Sequence, residues 1–217
     1  MSTEERYSRQ KDIVPAERIA ACKATVIGVG AIGRQVALQL TAMGIPWLQL
    51  IDFDVVEESN LASQGYLEED LGKDKVEATA DMCRKINSGA EIQVLPGRFR
   101  RSVEIGNVVF CCVDSIQVRQ LIWGAVGDEV LFFCDGRMSA EVLRILTACD
   151  SDSRYHYPKT LFAADEAYAG SCTAKTTIYC ANIAAGLMVS QFTRFLRCLP
   201  VDPDLQFNLL SSELSVK

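Results

Sequence analysis

Gly28-Val29-Gly30-Ala31-Ile32-Gly33 is the first stretch of the chain whose residue types and spacing could do chemistry. The first glycine permits a tight turn, the second lets backbone approach a phosphate or ribose, and the third lets a helix pack close to a strand. The amides that open such a helix lack partners and favour an anion. Asp52, some twenty residues on, is placed to accept hydrogen bonds from ribose hydroxyls. On these residues alone the signal is a nucleotide site whose default reading is NAD. The competing reading makes the glycines no more than a tight turn.

Such a turn needs a strand before it and a helix after it, and the pattern supplies both. Residues 24–28 are a short apolar run, and Ile32, Val36, Leu40 and Met43 fall on one helical face before Gly44-Ile45-Pro46 ends it. A second strand is expected at 47–53, an irregular segment at 57–72 and a helix at 73–87. Further strands are expected at 91–95, 107–113, 130–134 and 142–148, with a helix near 115–126. Residues 1–22 read as an N-terminal arm and short helix, 150–172 as a mobile loop or crossover connection, and 173–197 as a long helix. Strands alternating with helices, several continuously apolar, predict an α/β fold: a Rossmann-like, mostly parallel sheet with helices on both faces, in a single domain over 1–217.

Composition narrows the function. The chain has 217 residues, 49% hydrophobic and 23% charged, with a net charge of −6. That is globular composition, and the acidic balance argues against a nucleic-acid partner. Nine cysteines, an odd number with several in apolar runs, read as free thiols in a reducing cytosol. Without a Cys-x-x-Cys pair, and with His156 alone, no structural zinc is expected. The polar start predicts no signal peptide. The uncharged stretch 176–193 carries Thr, Asn, Ser and Gln, so it reads as a buried helix and not a membrane span. The expected location is cytoplasmic.

Four motifs occur in one order: Arg6-Tyr7-Ser8-Arg9-Gln10, the glycine turn, a segment from Asp52 and Asp54 through Asn60 to Gln64, and Leu71-Gly72-Lys73-Asp74-Lys75 with Val76-Glu77-Ala78. Val113-Asp114-Ser115 follows them. This set resembles the ThiF/MoeB/HesA superfamily, enzymes that activate ubiquitin-like and sulfur-carrier proteins. The resemblance is good over roughly 120 residues and looser beyond. It implies ATP- and Mg²⁺-dependent adenylation of the C-terminal carboxylate of a small ubiquitin-like or sulfur-carrier protein. In that reading Gly28, Gly30 and Gly33 form the cradle, Asp54 holds ribose hydroxyls and Asp52 supports it. Asn60 and Gln64 meet polar groups of the nucleotide, Lys75 sits against the phosphates, and Asp114 binds Mg²⁺ or organises the phosphates. Arg9 lies on an arm that in this family reaches a partner subunit's site, which implies a homodimer.

Simpler readings stand beside these. Lys75 could be a solvated helix lysine like Lys73, Asp114 a helix cap, and Arg9 a surface residue. Cys172, in Ala169-Gly170-Ser171-Cys172, could receive the acyl group as a thioester, with Lys175 nearby to favour its thiolate, or could be one more small buried residue. The sequence also departs from the family pattern. An arginine usually precedes the glutamine, and here that position is Ser63. A phosphate-facing cation is therefore missing, and Arg119 is a candidate to supply it. The alternatives are an NAD-dependent oxidoreductase on the same turn, or a non-catalytic nucleotide-binding scaffold.

Overall fold

The computed structural model describes residues 3–162 and 176–217. In chain order the elements are α1 (Thr3–Arg6), α2 (Ala16–Ala20), β1 (Lys23–Ile27), α3 (Ala31–Met43), β2 (Trp47–Asp52), α4 (Glu58–Gln64) and α5 (Lys75–Ile86). They continue with β3 (Glu91–Pro96), β4 (Val108–Cys111), α6 (Ile116–Val126), β5 (Phe132–Ser139), β6 (Val142–Ala148), α7 (Ser151–His156), α8 (Ile178–Leu196), β7 (Asp204–Asn208) and β8 (Glu213–Val216).

The described residues form an eight-stranded sheet in the order β3-β2-β1-β4-β5-β6-β7-β8. The first five are mutually parallel, and β6, β7 and β8 continue antiparallel. Every residue of β4 and all but the first of β1 are buried, because helices cover both faces. On one face α3, α5 and α8 pack around Val26, Leu40, Leu48, Phe110, Phe132 and Phe192. On the other, α6 and Tyr157 close over Ile51, Val109 and Phe133, with Trp123 wedged between aromatic rings. The uncharged stretch after residue 176 becomes α8, whose Ala181, Ala184, Ala185 and Met188 lie against the sheet. Among the described residues no helix is long and apolar enough to cross a membrane.

Two expectations need correction, and two strands were not expected at all. Residues 57–72 are not wholly irregular, since α4 occupies their centre. It buries none of its residues, so it leaves no apolar stripe to read. It is held at its ends, by Asn60 Oδ1 accepting from Glu57 N–H at 3.0 Å and by Gly65 in a left-handed cap. The stretch 150–172 is likewise not all loop. Asp150 caps α7 by accepting from Ser153 N–H at 2.9 Å, and a 3₁₀ turn at Tyr157–Thr160 follows with Tyr157 only 1% exposed. Finally β7 and β8 went unforeseen, because a polar edge hairpin such as Asp204–Asn208 with Glu213–Val216 has no apolar run.

Candidate nucleotide site

The sheet order reverses about β1, which has β2 on one side and β4 on the other, so a crevice opens where these strands end. The glycine turn leaves β1 there, and Asp114 follows β4. Two glycines are required by contact. Gly28 has φ +87°, and a Cβ on it would lie 2.7 Å from Cys112 O; a Cβ on Gly33 would lie 1.8 Å from Gly28 O. At Gly30 the nearest group to an added Cβ is Gln64 Oε1, 3.8 Å away, so space is left beside the turn.

Asp52 is a fastener. Its Oδ2 accepts from Val29 N–H at 2.6 Å and its Oδ1 from Asp54 N–H at 2.9 Å. One carboxylate thus ties the glycine turn to the segment bearing Asp54. Asp54 Oδ2 in turn receives Lys75 Nζ at 3.0 Å. The Lys75 side chain is 8% exposed and that of Asp54 46%, so the pair sits at the wall of an opening and not out on a helix surface. Lys73, by contrast, turns to Asp70. Phe53, Asp54, Val55, Glu57, Asn60 and Lys75 line a cavity of about 370 Å³. A larger hollow of about 820 Å³ lies at the opposite ends of the strands, beside Lys23, Trp47 and Glu91, and holds none of these residues.

Gln64 supplies the most direct sign that the crevice suits a ligand. Its Oε1 is buried with no donor among the described residues, beside the glycine turn. Buried acceptors are ordinarily satisfied. A nucleotide, rich in donors on base and ribose, suits this acceptor, the open flank of Gly30 and the Lys75 ammonium. Asp114 is exposed and free of partners among the described residues. One carboxylate plus phosphate oxygens is an ordinary Mg²⁺ environment. The cap of α6 is Ser115, whose hydroxyl accepts from Val118 N–H at 3.4 Å, so Asp114 is not needed as one.

Other expected residues are not brought to the crevice. Arg119 is 5% exposed and bound to Asp135, Val113 O and Gly136 O. Its donors are used inside the fold, which overturns its candidacy to replace the cation missing at Ser63. The N-terminal arm docks on its own chain: Arg6 Nη1 donates to Ile86 O at 3.0 Å, Gln10 Nε2 to Met43 O at 2.7 Å, and Asn87 Nδ2 to the Tyr7 hydroxyl at 3.1 Å. These are the C-terminal ends of α3 and α5. The glycine turn lies at the other end of α3, whose 13 residues span roughly 20 Å. Arg9 is exposed there and does not reach its own turn. His156 is no loop residue; its Nε2 lies 3.0 Å from Asp204 Oδ2. Cys172 lies outside the described residues.

Among the described cysteines none is in a disulfide. Burial pushes the Cys111 thiol up to about 12, helped by Asp135, and raises Cys22, Cys83, Cys112 and Cys134 as well. Such thiols are poor nucleophiles.

Two residues were missed from the sequence. Tyr66 is buried and donates its hydroxyl proton to Val29 O at 2.6 Å, holding the glycine turn from behind. Burial raises its pKa, so the donor persists. Arg34, four residues past Gly30, packs over the Tyr66 ring at 4.2 Å. The one available signal was the Gly65-Tyr66 pair following Gln64.

Fold and crevice together define an α/β domain of the doubly wound kind with a candidate nucleotide site at its switch point. The ThiF family model matches residues 7–212, and the chain belongs to the ThiF family. It is 34% identical over 129 residues to the mouse "Adenylyltransferase and sulfurtransferase MOCS3", covering 54% of this chain and 28% of that protein. It is 31% identical over 129 residues to the "SAMP-activating enzyme E1" of Haloferax volcanii, covering 54% of this chain and 48% of that one. The aligned region thus spans less than half of either relative. The fold is similar to that of PaaA, at a TM-score of 0.82 and 19% identity over 100% of this chain and 74% of that one. It is also similar to E. coli MccB with ATP, at 0.77 and 18% over 98% and 71%.

Proposed function

We propose that the chain is an ATP-dependent adenylation domain acting on the C-terminal carboxylate of a small ubiquitin-like or sulfur-carrier protein. The observation that carries this is the joining of Asp52, Asp54, Lys75 and the glycine turn at one opening, in a member of the ThiF family. In the reaction a carboxylate oxygen attacks the α-phosphorus, the bond to the bridging oxygen breaks, and pyrophosphate leaves. Negative charge gathers on the oxygens around that phosphorus and on the departing pyrophosphate, so fixed donors and cations there lower the barrier. Lys75, held by Asp54, is the cation in position; the start of α3 adds its amides. Mg²⁺ held by Asp114 would neutralise phosphate charge. Family membership favours this chemistry over hydride transfer to NAD.

Arg9, too far from its own turn, would act in a second copy, so the working unit is a homodimer. Cys172 would take the acyl group from the adenylate as a thioester, releasing AMP. Pyrophosphate exchange is the test: exchange that requires both ATP–Mg²⁺ and a carrier ending in Gly-Gly is expected. Folded protein that binds ATP but never exchanges would instead assign the non-catalytic scaffold, which the serine at position 63 keeps in view. Cys172→Ala should leave exchange intact and stop only transfer.

A further inference from the structure

Arg34 is 1% exposed, yet among the described residues it has no ion pair. Its donors go to neutral acceptors: Nε to Gly65 O at 3.2 Å and Nη1 to Thr79 Oγ1 at 3.3 Å, with the guanidinium over the Tyr66 ring. The one carboxylate that acts on it, Asp70, is hydrogen-bonded elsewhere. Asp70 accepts from Lys73 Nζ at 3.0 Å and Leu67 N–H at 3.1 Å. Burial lowers the Arg34 pKa, with Tyr66 and Asp70 opposing, and an arginine so placed remains charged. A buried cation with no acid in direct contact is costly and favours a further anion nearby.

The place of Arg34 says where that anion belongs. Its own N–H donates to Gly30 O at 3.0 Å, one turn inside the helix that opens on the glycine loop. The groups it grips, Gly65 and the ring of Tyr66, adjoin Gln64 and the hydroxyl that holds Val29. The cation that lacks an ion pair and the unpartnered acceptor, Gln64 Oε1, thus flank one cradle.

We propose that Arg34 is the interior counter-charge to the nucleotide's phosphates, a positioning residue that offsets the cation absent at Ser63 without touching the ligand. The proposal rests on the reading of this crevice as an ATP site. It predicts discrimination by charge: a triphosphate gains more from Arg34 than a monophosphate on the same base and ribose. A purely structural arginine would affect both alike.

Calorimetric titration of the full chain with ATP–Mg²⁺, AMP and inorganic tripolyphosphate, at low salt, makes the test. Arg34→Met should weaken ATP and tripolyphosphate on the order of tenfold and AMP by about twofold. Arg34→Lys, which keeps the charge, should recover most of the ATP affinity. Arg34→Gln retains a donor for Gly65 O and serves the same comparison should the methionine variant not fold. Equal losses for ATP and AMP in the neutral variants, or no loss, overturn the proposal. Wild-type protein that binds neither ATP nor tripolyphosphate sinks the ATP-site reading itself, and this inference with it.

Discussion

Two acid–base clusters sit on the same sheet, one just past the end of β2 and one within β5, and are built to opposite specifications. Asp54 and Lys75 form a single ion pair, with the carboxylate half-exposed and facing a cavity. Asp135, wholly buried, is saturated by Arg119, by Arg137 Nε at 2.8 Å and by the Tyr157 hydroxyl at 2.9 Å. Arg137 then reaches on to Thr160 O and Thr160 Oγ1. The second cluster has no capacity to spare and pins the 3₁₀ turn after α7 to the sheet. The first keeps oxygen and ammonium within reach of a ligand. An ion pair is thus no marker of function; unspent hydrogen-bonding capacity beside an opening is.

That contrast can be broken by experiment. Asp135→Ala leaves the Arg119 guanidinium buried without its acid, and the denaturation midpoint should report a loss of about 3–5 kcal/mol. A loss below about 1 kcal/mol would make the two clusters alike. Lys75→Ala should do the reverse. Exchange should fall on the order of 100- to 1,000-fold, while stability changes by less than about 1 kcal/mol because the pair is partly solvated. Unchanged exchange would remove Lys75 from the site. Tyr66→Phe deletes the hydroxyl that holds Val29 O, at a cost of about 1–2 kcal/mol seen in thermal or denaturant unfolding.

The smallest effect concerns acid. Burial would raise the Asp204 pKa, but the hydrogen bonds from Arg144 and His156 outweigh it and hold the carboxyl below its ordinary value. A depressed carboxyl contributes stability that is present above about pH 4 and is lost as pH falls through its folded value. Asp204→Asn should therefore flatten the acid side of a stability–pH curve. A curve of wild-type steepness would show that Asp204 adds nothing there.

The core of the fold was legible because its signals are local. Apolar runs gave β1, β2 and β4, a 3.6-residue stripe gave α3, and the glycine spacing marked the turn between them. Where structure rests on end caps or on edge pairing, as in α4, α7 and the β7–β8 hairpin, no local apolar period exists to be read. The site divides in the same way. Lys75 and Lys73 are two residues apart and chemically identical, and only the fold sends one to Asp54 and the other to Asp70. Arg119 looked available and proved committed. Arg34 carried no signal in the sequence and is buried.

The sequence by itself determined the doubly wound class, the glycine turn and the family to which its motifs belong, because backbone conformation and periodicity are encoded by near neighbours. Only the tertiary structure decided which charges are spent and which remain. Desolvation and pairing join residues far apart in the chain: Lys75 with Asp54, Asp52 with Val29, Arg34 with Gly65 and Thr79. No local pattern carries that information.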